Sequence, residues 1–168
     1  MIHCVKLLIL AIVCVLPWSV ALSKSVEGQS KENVAVMELK NSSGAKKREV
    51  TYLTSVVRQA ASRLPHSKYF IMTRDNIQTM LPPGKSLEDC VGECAVETAR
   101  NISAHWLVTG EVIRFGKELR ISLSLLNSKS GGVRDTKTVK GKKLSDLETP
   151  LQAAALFMFA SLDPSLTK

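Results

Sequence analysis

The chain has 168 residues, with 23 lysines and arginines against 15 aspartates and glutamates, a formal net charge of +8. That length suits one domain burying about 68% of its unfolded surface. Aromatic residues make up only 5% and do not interleave with the basic clusters, which argues against single-stranded nucleic acid as a partner.

Residues 1–21 read as a secretory signal peptide. Lys6 precedes an unbroken apolar run over 7–16, Pro17 follows, and Ser19 and Ala21 place small residues at −3 and −1 for cleavage after Ala21. The apolar run is about half the length that spans a hydrocarbon core, so a retained anchor is disfavoured. Lipidation at Cys14 is disfavoured too, because Val13 stands where a lipobox has a small residue and Ala11 where Leu is usual. The mature chain is expected to be exported. Residues 22–32 are polar and aperiodic, a flexible leader, and a single domain over 33–163 follows, with a tail at 164–168.

NVAVMEL at 33–39 is a short apolar run suited to a buried strand. Residues 40–47 read as a loop, marked by Asn41, Ser42, Ser43 and Gly44. Over 50–64, Val50, Leu53, Val57, Ala60 and Leu64 recur at helical steps, while Arg58, Gln59, Ser62 and Arg63 face away. Pro65 ends that helix. YFIMT at 69–73 is a second short strand, and 74–81 a brief helix capped by Thr73 or Asp75 and stopped by Pro82-Pro83-Gly84. A third helix spans about 93–102, with Ala95, Val96, Ala99 and Ile102 inward.

The strongest signal lies at 104–126. A strand over about 106–114 is nearly continuous in β-formers, and 119–125 alternates Leu119, Ile121, Leu123 and Leu125 against Arg120, Ser122 and Ser124. Such alternation marks a sheet with one buried and one wetter face. Gly116-Lys117 between the two strands predicts a type II′ hairpin. Ser130-Gly131-Gly132 turns the chain into a polar strand over 133–140, whose lysines and arginine suit an exposed edge. A last helix starts at Thr149-Pro150, read as cap and first helical residue, and ends near Leu162. The order β-α-β-α-α-β-β-β-α predicts an α/β (α+β) domain with a mixed sheet of about five strands and helices packed on it. Its opening half implies parallel pairing through a right-handed crossover.

Two cysteines, Cys90 and Cys94, remain in the mature chain. Export makes a structural disulfide the default, with Gly92 supplying the backbone freedom so short a loop needs. A metal site needs more ligands, and His66 and His105 lie at no recognised spacing. A redox pair prefers two intervening residues. Asp89, Glu93 and Glu97 beside the cysteines suit a helix dipole rather than a calcium loop. Gly84-Lys85-Ser86 lacks the upstream glycine of a phosphate loop. No catalytic set, cofactor site or metal site follows from these residues. Asn41-Ser42-Ser43 and Asn101-Ile102-Ser103 match glycosylation sequons, which matter only in a eukaryotic secretory context.

NVAVMELKNSS, SKYFIMTRDNIQTML and ARNISAHWLVTGEVIRFGKELRISLSLLNSKSGG together resemble the α/β domain shared by the TolB amino-terminal domain and the CsgG family of bacterial envelope proteins. The match covers residues 33–140 and is to the bare domain, without the β-propeller of full TolB or the membrane-inserting hairpins of a CsgG channel. The resemblance implies a periplasmic, non-enzymatic protein-interaction or assembly module with an envelope protein partner or self-association. Exported members with cysteines before the corresponding helix resemble the Cys90/Cys94 pair more loosely. The alternative is a small exported thiol-dependent or hydrolytic enzyme, built on Cys90 or Cys94 with His66 or His105.

Two further surfaces bear on partners. In LQAAALFMFASL only Gln152 and Ser161 are polar, so the last helix either packs wholly on the sheet or leaves a side, at Leu156, Phe157 or Phe159, for a partner or second copy. The loop at Asn41 and Ser42 is the other expected contact. Lys46, Lys47 and Arg48, with Arg134, Lys137, Lys140, Lys142 and Lys143, gather the basic excess, which suits either contact with an anionic envelope surface or an ordinary solvated exterior.

Overall fold

The computed structural model describes residues 30–167. The signal peptide expected over 1–21 and most of the expected leader lie outside the described residues. One mixed sheet organises the chain, with strand order β3-β1-β4-β5-β6: β1 is Glu32–Val36, β3 Tyr69–Ile71, β4 Trp106–Phe115, β5 Glu118–Asn127 and β6 Val133–Gly141. β1 runs parallel to both β3 and β4, while β4, β5 and β6 form an antiparallel meander. Gly116 has φ +61° and Lys117 keeps a negative φ, as the type II′ turn requires.

A sixth strand corrects the expectation of about five. Lys40–Ser42, here β2, was expected to be loop, yet it pairs parallel with Glu111–Ile113 of β4 beyond the end of β1. Between β1 and β2 the chain leaves the ladder at buried Met37, Glu38 and Leu39. Across the break the Met37 amide donates to Val108 O at 3.0 Å and the Leu39 amide to the Thr54 hydroxyl at 3.1 Å, so both buried donors keep a partner.

Four helices cover this sheet unequally. α1 (Lys47–Ala61) and α4 (Glu148–Ala160) pack side by side on one face. There Val50, Leu53, Val57 and Ala60 of α1 and Leu151, Ala155, Met158 and Phe159 of α4 meet Val34, Val36, Val108, Val112 and the four leucine and isoleucine positions of β5. The short α2 (Arg74–Gln78) and α3 (Glu93–Asn101) cover the other face only over β1, β3 and the start of β4, around Ala35, Met37, Ile77, Ala95, Ala99 and Leu107.

Local chemistry sets the ends of these helices. Thr73 caps α2, its hydroxyl accepting the Asn76 amide. Thr149 does not cap α4: a 3-10 turn at Leu144–Leu147 precedes that helix, and Asp146 accepts the Lys143 amide at 3.1 Å one turn earlier than expected. Pro150 therefore stands third in α4, within the first turn, where a missing N–H is tolerated. After α3, Ser103 adopts φ +54° while its amide donates to Arg100 O and that of Ala104 to Ala99 O, a Schellman ending with serine where glycine is usual. Among the described residues no helix is long and apolar enough to cross a membrane.

Candidate functional site

Strand alternation places every second residue on one face, and paired residues share it. On the face away from α1 and α4, the registers align three rows across the strands: Thr109, Ser124 and Thr136; then Lys40, Glu111, Ser122 and Thr138; then Ser42, Ile113, Arg120 and Lys140. Successive rows lie about 7 Å apart and neighbours within a row about 4.8 Å. Among the described residues no helix is packed across this half of the sheet; Ser122, Thr136, Thr138 and Lys140 are exposed. The result is a hydroxyl-lined face, with the Lys40–Glu111 pair in its middle row and Arg120 and Lys140 in its far row.

The disulfide loop walls one end of that face. Cys90 and Cys94 are joined, with Cα atoms 5.1 Å apart, and Cys90 is buried against the Thr98 hydroxyl. Gly92 sits between them at φ +61°, ψ −126°, a backbone that L side chains rarely adopt, and serves as the N-cap of α3. A groove of about 360 Å³ runs between this loop (Cys90, Val91, Gly92) and the sheet (Thr109, Glu111, Ser122, Ser124), with Glu38 at its floor. The Ser42 hydroxyl above all lowers the Glu111 pKa from its ordinary value; burial opposes this, and Lys40 at 3.1 Å adds to the lowering. It carries its charge into the groove.

Glu38 and Arg58 escaped the sequence reading. Glu38 is 2% exposed and receives Arg74 Nε at 3.0 Å, with Arg58 at 3.6 Å. Arg58, expected to face away, is turned inward and also donates to Val36 O. Burial lowers its pKa, and Glu38 counteracts this. Arg74 reaches Glu88 at 3.4 Å, which pairs with Lys47 at 3.2 Å. Burial would raise the Glu88 pKa, but hydrogen bonds from its own backbone, Lys47 and Ser86 outweigh this and lower it. These charges fasten the cysteine loop to α1 and α2. An acid inside an apolar run, between Met37 and Leu39, was the one available signal.

The expected surface residues separate. Phe159 is fully buried between α1 and the sheet, which corrects its assignment to an interaction surface: it falls on the Leu151–Ala155–Met158 side of α4. Leu156 is half-buried against the same core, whereas Phe157 is 64% exposed. Ser42 lies on the open face and donates to Glu111. Asn41 is turned the other way, donating to Ala45 O and accepting from Ser43. His105 accepts the Asn33 amide through Nδ1 at 3.0 Å, at the opposite end of β4 from the hairpin turn. Among the described residues no hydrogen bond links His66 or His105 to Cys90 or Cys94, and that pair, being disulfide-bonded, offers no free thiol. Among the described residues no group of three or more His, Cys, Asp or Glu side chains is placed to hold a metal ion.

No protein-family model matches the sequence, and no curated protein matches it. Solved structures do share its fold. The LpoB C-terminal domain from Escherichia coli superposes with a TM-score of 0.54 at 15% identity, over 68% of this chain and 85% of that one. Lipoprotein GNA1162 from Neisseria meningitidis gives 0.54 at 12% identity, over 76% and 96%. TolB from Acinetobacter baumannii gives 0.49 at 10% identity, over 80% and 29%, a level that carries no argument. At these identities the likeness is one of fold: this chain is built on the same mixed α/β plan as the LpoB C-terminal domain and GNA1162.

Proposed function

We propose that this chain is an exported, non-enzymatic envelope protein of the periplasm, whose domain serves as a protein-interaction or assembly module. The observation that carries the reading is the β4–β5–β6 face that the described helices leave uncovered, a polar platform beside a disulfide-braced groove. A catalytic site gathers nucleophile, acid and base at hydrogen-bond reach; here the polar side chains form an array of hydroxyls suited to meeting another surface. The signal-like residues 1–21, the braced cysteine loop and the fold shared with lipoprotein GNA1162 support the envelope location. The TolB amino-terminal and CsgG-like resemblance of residues 33–140 belongs to the same proposal.

The test is a capture experiment from envelope fractions with the chain from Leu22 onward. Ser122→Arg with Thr138→Arg places two large cations on the platform without touching either core, and is expected to abolish capture of any specific partner. Capture that survives this double substitution removes the platform from the function. Native thiol titration tests the thiol-dependent enzyme: a reactive thiolate at Cys90 or Cys94 would favour it. The exposed Phe157 supports a second contact, by self-association, checked by light scattering on Phe157→Asp, whose mass would fall relative to the parent if α4 pairs.

A further inference from the structure

Cations from three separate stretches converge on one end of the domain. Arg120 lies opposite Lys140, and Phe115 opposite Glu118, so the β4–β5 turn with Lys117 stands beside the end of β6. Lys142 and Lys143 follow β6 directly. β2 ends in register with Ile113, and Arg114 Nε donates to Ser43 O at 3.2 Å, which brings the start of α1, with Lys46 and Arg48, to the same end. The acids there are engaged: Glu118 with Arg120 at 3.2 Å, Glu49 with the Lys46 amide, Asp146 with the Lys143 amide, and Glu148 with the Tyr52 hydroxyl at 2.7 Å. Lys117, Lys140, Lys142 and Lys143 are exposed.

Phe115 stands at the tip among these cations, 66% exposed, with the Arg120 guanidinium 4.8 Å from its ring centroid. Cations are drawn to a surface of anionic headgroups, and an exposed phenylalanine set among them buries its ring at the boundary between headgroups and acyl chains. A soluble acidic polymer would satisfy the lysines and leave the ring in water; a lipid surface accommodates both. We propose that this end of the domain docks onto anionic lipid headgroups, with Lys117, Lys140, Lys142 and Lys143 engaging phosphates and Phe115 entering the headgroup layer. The contact is peripheral and leaves the hydroxyl rows nearer the cysteine loop free for a protein partner.

The experiment is co-sedimentation of the chain from Leu22, which retains both cores, with vesicles of equimolar phosphatidylcholine and phosphatidylglycerol and with vesicles of phosphatidylcholine alone. Binding is expected only to the anionic vesicles, weakening with salt. Reversal of Lys140, Lys142 and Lys143 to Glu is expected to lower the partition coefficient by roughly fivefold for each cation lost. Phe115→Ser, on an exposed tip at unchanged charge, is expected to weaken binding as well, while Lys129→Glu, in the β5–β6 turn at the other end, leaves it intact. Absence of binding to the anionic vesicles would overturn the proposal, as would Phe115→Ser binding like the parent or Lys129→Glu weakening it as much as the triple reversal. Competition by free polyglutamate with no dependence on Phe115 would overturn it in favour of an acidic polymer.

Discussion

At Gly110 a single hydrogen in place of a methyl sets how closely two segments approach. An added Cβ would lie 2.6 Å from the Ser122 carbonyl oxygen and 2.5 Å from the Leu39 side chain, and the first of these is backbone that cannot swing aside. Gly110→Ala is expected to cost about 1–3 kcal/mol, read as a lower urea midpoint at unchanged slope. Ser103 offers the opposite change: glycine there relieves a positive φ, so Ser103→Gly is expected to raise stability by roughly 1 kcal/mol. Asp163 reports on pH. Hydrogen bonds from Lys68 at 2.9 Å, and then from Ser165, lower its pKa from the ordinary 3.8 to about 2. Its stabilising contribution is complete above the ordinary value and is lost as pH falls through the depressed one. Asp163→Asn is thus expected to lower the thermal midpoint at neutral pH, and the gap to the parent to close as pH drops from 3.8 to about 2. A parent and variant that keep a constant gap across that interval would exclude this linkage. None of these three roles was legible beforehand, because each depends on what a distant segment places beside the residue.

Among the elements, legibility followed the strength of the apolar period. α1, β4 and β5 carry long alternations or helical repeats and formed where expected, with Val50, Leu53, Val57, Ala60 and Leu64 all buried. β2 carries none: Lys40, Asn41 and Ser42 are exposed and become a strand only because β4 extends beyond β1. α4 is the converse case, since a helix apolar on nearly every side does not declare which side is inward. The structure resolves it through two neighbouring phenylalanines. Phe159→Ala is expected to destabilise by about 3–5 kcal/mol and Phe157→Ala to lie within about 0.5 kcal/mol of the parent, both read by denaturant unfolding. The cysteine loop is short, so replacing both Cys90 and Cys94 by Ser is expected to cost only about 2 kcal/mol, yet it frees the wall of the groove. A loss of partner capture larger than the loss of fold would separate these two effects.

For the whole molecule, the mixed sheet with its parallel opening half and antiparallel meander was readable from element order, whereas the platform was not. Alternation in β5 announces a wetter face, but only the placement of α2 and α3 near β1 shows that the described helices leave half of that face bare. The basic end was equally hidden, assembled from stretches far apart in sequence. Strand order also bears on how the chain reaches this state. β1, nearly the first segment of the domain, is an inner strand, and its second neighbour arrives with Trp106–Val108; the hydrogen bond between Asn33 and His105 closes a separation of 72 residues. The β4–β5–β6 meander, by contrast, closes through short turns and assembles from local contacts. The amino-terminal half therefore stays unpaired on one side until the carboxy-terminal half is present. A chain threaded unfolded through a membrane, as proposed for this one, gains from that ordering: what enters first cannot lock into a finished sheet before the rest has followed.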